Sequence, residues 1–231
     1  MKSLPPAFRA LVVGASGALG AAFTQCLGAS PGGARVHALG RHTEPSIDFT
    51  REATIEAAAA QLRQQAPFHL IIVATGVLHT DQLQPEKRLA DLSMTAMEEV
   101  FRINTFGPAL LLRHFAPLLD RQRSVMALLS ARVGSMGDNR LGGWYSYRAS
   151  KAALNMLVKT AAIELRRTHP GAVLAALHPG TVKSALSKPF RGNDIGREPL
   201  EAAADMLGAL DALAPEDSGC FLAYDGQRLP W

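Results

Sequence analysis

Cysteine is nearly absent. Cys26 and Cys220 are the two in 231 residues, far apart and without CxxC spacing, which excludes a disulfide scaffold and a cysteine metal site. A reduced pair of buried thiols in a cytoplasmic protein is the expectation. Aromatic residues are scarce as well, at 6%, so the core must be built mainly from Ala, Leu and Val. That composition suits parallel strands covered by Ala-rich helices and argues against an all-β sandwich. No apolar run reaches the roughly 18 residues that a membrane span needs, so no membrane partner is expected. Lys2 and Arg9 around the start of an apolar stretch could be read as a signal peptide, but "ALVVGASGALGAAF" carries three glycines whose spacing has a better explanation. Charge is thin too: charged residues make up 19%, and the net charge is +4. The basic residues are dispersed, Lys87-Arg88 and Arg166-Arg167 being the densest pairs. An anionic ligand is permitted, and a nucleic-acid partner is not expected. The seven histidines show no HExxH-type spacing, which argues against a metal.

What the chain does have is alternation. Strand-like runs at 10–13, 35–39, 70–74, 124–129 and 173–177, with a last one near Phe221, are separated by helix-like runs at 19–27, 51–64, 94–119, 147–168 and 200–213. Several of the strands are continuously apolar, as expected when both faces of a sheet are covered. No linker, repeat or low-complexity tract interrupts the pattern. It predicts one domain over residues 1–231: an α/β, Rossmann-type, doubly wound parallel sheet of about seven strands with helices on both faces. The Gly/Pro/Asn/Arg-rich stretch 188–199 reads as a mobile loop.

The first strand-like run leads straight into Gly14-Ala15-Ser16-Gly17-Ala18-Leu19-Gly20 and then into a helix. Glycines permit a tight turn and close backbone approach, and a helix N-terminus offers free N–H groups to a pyrophosphate. Gly14, Ser16, Gly17, Leu19 and Gly20 therefore form a candidate dinucleotide site. The bland alternative is a Gly-rich turn that only packs helix on sheet. The second strand ends in Gly40-Arg41-His42, with no acid to hold ribose hydroxyls. Arg41 can pair with a 2′-phosphate, which favours NADP(H) over NAD(H). Asp48 is open between two roles, accepting a hydrogen bond from the adenine amino group or capping a helix that starts near Arg51.

Tyr147 and Lys151 stand four apart at the start of a long helix, hence on one face. A phenol with a pKa near 10 exchanges protons poorly at neutral pH until a nearby cation favours its phenolate, and Lys151, with the positive ring of an oxidised nicotinamide, can supply that bias. Alone, such a pair can be an amphipathic surface contact. In one chain with the glycine loop it becomes specific.

These motifs, with "ATG" at 74–76, "INTFGP" at 103–108, "LSARVGSMGDN" at 129–139 and "HPGTVKS" at 178–184, make the chain resemble the short-chain dehydrogenase/reductase family over essentially its whole length. "GSMGDNRLGGWYSYRASKAALN" and the ending "YDGQRLPW" are most similar to its C-factor-like and sniffer-like carbonyl reductases. The resemblance implies an NADPH-dependent carbonyl reductase, reversible as an alcohol dehydrogenase, that works as a homodimer or homotetramer. It implies that Tyr147 is the general acid/base, that Lys151 holds the nicotinamide ribose and lowers the phenol's pKa, and that Asn104 joins a proton relay. Ala74, Gly76, Pro179 and Gly180 would line the cofactor, with Thr181, Val182 and Ser184 at the nicotinamide carboxamide. The loop that follows would close over substrate, near Trp144.

One part of this has an independent physical check. Pro108 has no N–H to give the carbonyl four residues back, which belongs to Asn104, so a kink there would free an acceptor for the water that such a relay requires. Two departures from the family pattern stand out. Ala18 fills a place that is glycine in many members. Ala131 stands where the family places a serine that hydrogen-bonds the substrate oxygen. Ser130 or Ser135 could serve after a local shift, although adjacent strand residues face opposite ways. Ala131 also supports a rival reading, a nucleotide-binding regulatory or signalling protein of the same fold with weak or no catalysis.

Overall fold

The computed structural model describes residues 1–30 and 33–231. The short apolar runs become β1 (Arg9–Val13), β2 (Arg35–Leu39), β3 (Leu70–Val73), β4 (Ser124–Leu129), β5 (Ala172–His178) and β6 (Cys220–Ala223). All pair in parallel, in the order β2-β1-β3-β4-β5-β6. Between them run α1 (Ala18–Gly28), α2 (Glu52–Leu62), α3 (Met94–Phe101), α4 (Gly107–Phe115), α5 (Tyr145–Leu165), α6 (Gly192–Ile195) and α7 (Pro199–Asp211).

Period-two alternation divides the core between two helical layers. Leu11, Val13, Ile71, Val73, Met126 and Leu128 pack with α2, α4 and α5, while Ala10, Val12, Leu70, Ile72, Val125 and Ala127 pack with α1 and α7. The few aromatics are spent where volume is needed: Phe8, Phe23, Phe68, Phe115 and Phe221 are fully buried. At about 1.5–3 kcal/mol for each large side chain removed from water, these rings are anchors in an otherwise small-residue core.

The sheet has six strands where about seven were expected. Beyond β2, at one edge of the sheet, the chain folds on itself and adds no strand. Thr43 Oγ1 donates within the turn and accepts from Gly40 N–H at 2.9 Å, and Asp48 Oδ1 accepts from both the amide and the hydroxyl of Thr50, at 2.9 and 2.8 Å. Local side-chain bonds of this kind satisfy the backbone and remove its need for a ladder. The stretch 188–199 is likewise not a plain loop. It holds a 3₁₀ turn, Lys188–Phe190, then α6, and a bridge between Val182 and Arg197 closes its neck.

The long helical run 94–119 is broken. Residues Arg102–Phe106 form a π-helical segment between α3 and α4, centred on Asn104, with Pro108 inside the first turn of α4. At the far edge the chain turns at Gly226 and comes back along β6, so that Leu222 pairs antiparallel with Arg228 and Leu229 N–H bonds Phe221 O at 2.9 Å. Trp231 stacks on Phe221, ring centroids 5.6 Å apart. Both cysteines are unpaired, but they are half-buried rather than buried.

Candidate active site

The order of strands reverses between β1 and β3, and in an open parallel sheet the crevice beyond such a reversal is where ligands sit. Every motif singled out in the sequence falls at that carboxyl edge: Gly14 after β1, Arg41 after β2, Ala74 and Gly76 after β3, Ser130 and Gly134 after β4, and Pro179 to Ser184 after β5.

The glycine loop is built for close approach. Gly14 has φ +83°, and a Cβ on it would lie 3.0 Å from the Ala74 main chain, while a Cβ on Gly20 would drive into the Gly14 carbonyl. The start of α1 therefore sits tight on the ends of β1 and β3. Gly17 is its N-cap and no side chain caps it, so the first-turn N–H groups face outward. Ala18, the departure from the family pattern, opens α1 without disturbing this packing. Beside the loop, the buried hydroxyl of Thr75 has no partner. Arg41 is exposed and makes no ion pair or hydrogen bond among the described residues. These features fit a dinucleotide phosphate chain with a cation at the ribose end. Asp48 is not the helix cap: Arg51 holds the N-cap position of α2, and the Thr50 amide and hydroxyl hold the Asp48 carboxyl below the usual carboxylate range.

Tyr147 and Lys151 lie in the first two turns of α5, both buried, with the Lys151 ammonium 5.9 Å from the Tyr147 ring centre. Lys151 Nζ donates to Leu129 O at 2.8 Å, at the end of β4. Burial pushes the Tyr147 phenol up to about 12 and the Lys151 amine down to about 7, since each loses hydration of its charged form. In the protein without its cofactor, loss of hydration sets the direction for both groups. Asn104 is fully buried. Its side chain accepts from Val77 N–H at 2.9 Å and donates to Val77 O at 2.8 Å and to Ser150 Oγ at 3.2 Å. Ser150 Oγ donates to Tyr147 O, and Thr105 Oγ1 donates to Ser150 O, both within 2.9 Å. The π segment is therefore tied to the helix that carries Tyr147 by a seam of buried polar bonds. Gly76 faces Asn104 Oδ1 and Lys151 Nζ, and Gly134 lies so close to Lys151 that a Cβ would come within 2.8 Å of it.

Both candidate serines contact the protein around them. Ser130 donates to Asn155 Oδ1 at 2.6 Å, a position two turns of α5, about 12 Å, beyond Tyr147. Ser135 donates to Trp231 O at 3.3 Å and accepts from Asp138 N–H. Ser184 is similarly turned into its own loop, against Val182 O and Ser187 Oγ. Over the mouth, Trp144 packs edge-to-face on Tyr147 and on Phe190, at 6.1 and 5.1 Å, and Phe190 meets His79 at 5.7 Å. A surface hollow between α7 and β6 contains none of these residues.

Comparison with known proteins accords with this geometry. A family model described as enoyl-(acyl carrier protein) reductase, within the short-chain dehydrogenase/reductase group, matches residues 31–229. The chain belongs to the short-chain dehydrogenase/reductase family. Within this family of oxidoreductases it is 36% identical over 204 residues to 1-hydroxy-2-glutathionyl-2-methyl-3-butene dehydrogenase of Rhodococcus sp. (strain AD45), covering 86% of this chain and 84% of that protein. It is 37% identical over 145 residues to the C-signal protein of Myxococcus xanthus, covering 62% of this chain and 83% of that one. Among solved structures, the NADPH-bound carbonyl reductase from chicken fatty liver superposes with a TM-score of 0.83 at 27% identity, covering 99% of this chain and 100% of that one.

For a member of this family, the residues that sequence reading missed are those that hold the site from a distance: Thr105, Ser150, Ser146 and Glu86. The one local signal was Ser146 and Ser150, spaced like Tyr147 and Lys151 and next to them on α5.

Proposed function

We propose that this chain is an NADP(H)-dependent oxidoreductase that interconverts carbonyl and alcohol groups, with Tyr147 as the acid/base. The observation that carries the reading is the buried constellation of Tyr147, Lys151 and Asn104 beside the glycine cradle. Arg41, in the absence of an acid at the end of β2, supports NADP(H) over NAD(H), and the chicken enzyme is described as NADPH-bound. A nicotinamide cofactor held there supplies or receives the hydride.

The chain's own residues do the rest. Gly14, Ser16, Gly17, Leu19 and Gly20 hold the pyrophosphate, and Ala74, Gly76, Pro179, Gly180, Val182 and Ser184 border the nicotinamide end. Tyr147, kept protonated by burial, gives its proton to the carbonyl oxygen. The phenolate left behind takes a proton back from solvent by way of Lys151 and the Asn104 seam, and in the reverse direction it accepts the alcohol's proton, which leaves by the same route. Tyr147 orients the substrate oxygen together with Ser130 or Ser135, whose hydroxyls can turn from their protein partners. Tyr147→Phe is expected to lower kcat by about 10²-fold or more and to leave NADPH affinity within about threefold, because the lost hydroxyl serves the chemistry and not the phosphates. Undiminished turnover in that variant sinks the mechanism.

The relative from Rhodococcus is named for dehydrogenating a glutathionyl alcohol, so thioether-bearing alcohols belong in the substrate panel with aldehydes, ketones and diketones. Ala131 favours a second reading, a nucleotide-binding signalling protein, to which the likeness to C-signal lends support. NADPH binding without turnover across that panel selects it. Exposed Phe106, Met156 and Ile163 support a homodimer or homotetramer through the π segment and α5, which the mass in solution checks. Among the described residues no helix is long and apolar enough to cross a membrane, and a cytoplasmic site of action accords with two unpaired cysteines.

A further inference from the structure

We propose that Glu86, on the connection between β3 and α3, is a positioning residue that sets the start of α5 and with it Tyr147 and Trp144; its catalytic consequence rests on the function proposed above. Glu86 is 4% exposed and has no cationic partner among the described residues. A carboxylate taken out of water must be hydrogen-bonded to be tolerated. All of its bonds go to one place. The carboxylate accepts from the Ser146 N–H at 3.1 Å and from the Ser146 hydroxyl, and the Glu86 main-chain carbonyl accepts from Trp144 N–H at 2.5 Å. The residues it holds, Trp144 and Ser146, flank Tyr145 just before Tyr147.

The helix needs this contact because its own sequence offers no cap. Trp144 is the N-cap of α5, an indole has no acceptor to give, and no side-chain cap bond is made from it. Trp144 is also left-handed, at φ 52° and ψ 45°, following left-handed Gly142 and Gly143. For a residue with a bulky side chain that conformation is unfavourable and persists only where surrounding contacts fix it. A carboxylate at a helix N-terminus meets both needs, by accepting from a free first-turn N–H and by lying at the positive end of the dipole. The chain thus keeps tryptophan at the cap position, where its ring can pack on Tyr147 and Phe190, and recruits the cap from 60 residues away. The same connection carries His79, whose Nε2 lies 3.1 Å from Ala185 O and whose ring meets Phe190. One segment therefore touches both the acid/base helix and the loop over the mouth.

The test uses a Trp231→Phe background, which leaves Trp144 as the sole tryptophan of the two in the chain. Glu86→Ala, Glu86→Gln and Ser146→Ala are compared for Trp144 emission and anisotropy, thermal midpoint, NADPH affinity, and kcat and KM. Glu86→Ala is expected to shift Trp144 emission to the red and lower its anisotropy before any cofactor is added. It should also lower kcat by about 10- to 100-fold, the range for small misplacements of a reacting group, with NADPH affinity within about twofold. Glu86→Gln, which keeps an acceptor for Ser146 N–H, should restore most of both signals, and Ser146→Ala should fall between. If Glu86→Ala does not fold, the two milder variants carry the test, and parental kcat and Trp144 signals in both overturn the proposal. It is equally overturned if Glu86→Ala folds with Trp144 unchanged, or loses activity only in proportion to lost folded protein. A parent without turnover whose Trp144 still responds to Glu86→Ala refutes the oxidoreductase reading alone and leaves the positioning role standing.

Discussion

Lys151 is a lysine with almost no water around it, and that fixes how its protonation feeds into stability. With a folded pKa of about 7 against about 10.4 for an unfolded lysine, the unfolded chain holds one more proton between those values. The parent therefore loses stability as pH falls through that window, and the full cost of burying the charge is present below pH 7. Lys151→Met is expected to stabilise the protein most at pH 6 and to lose that advantage toward pH 10, by at most about 1.4 kcal/mol per pH unit; chemical denaturation at several pH values measures it, and a pH-independent difference contradicts the assignment. Single residues with local reasons for their type were legible in the sequence: Gly14 and Gly20 by their spacing after a strand, Tyr147 and Lys151 by one helical turn. The partners of Ser130 and Ser135 were not. Their hydroxyls donate to Asn155, 25 residues away, and to Trp231, 96 residues away, and no local pattern encodes such partners.

At the scale of elements, the break in the helical run 94–119 followed from Pro108, which cannot donate to Asn104 O. That the break takes the form of a π segment did not follow, because its width is set by tertiary bonds from Thr105 and Asn104 to Ser150 and Val77. Such segments recur at functional sites, where one extra residue per turn re-aims a side chain. Thr105→Val keeps the shape of the side chain and deletes its bond to Ser150 O, leaving a buried carbonyl with one partner fewer. The expected loss is about 1–3 kcal/mol, read from urea unfolding, together with a larger fall in kcat than in NADPH affinity as the seam beneath Tyr147 loosens. Unchanged stability argues that the seam is not under load. The start of α5 was misread in a related way: nothing in "LGGWYSY" resembles a capped helix, and the cap comes from Glu86.

Across the whole molecule the two ends of the sheet do different work. The carboxyl edge carries the site. The opposite edge, where helices end, carries arginines that bond helix C-terminal carbonyls: Arg9 to Gln65 O and Ala66 O, Arg121 to Thr168 O, and Arg123 to Leu213 O. Cations there oppose the negative ends of α2, α5 and α7, which gives part of the net charge of +4 a structural use without a nucleic-acid partner. The alternation of strands and helices made this architecture readable, whereas the fold of the chain beyond β2 depended on side-chain bonds of Thr43, Asp48 and Thr50.

The return of the chain along β6 has a consequence for solubility. A parallel sheet ends in two rows of unpaired backbone groups, and such rows recruit other strands. At β6 the row is closed from within, because residues 227–229 take up Ala223 N–H and Phe221 O. Ending the chain after Gly226 strips that cover from an apolar strand and is expected to yield soluble aggregates that bind thioflavin T and seed one another, whereas the parent stays free of them at the same concentration. Light scattering during refolding distinguishes the two. The last residues would then be what keeps one copy from adding its sheet to the next.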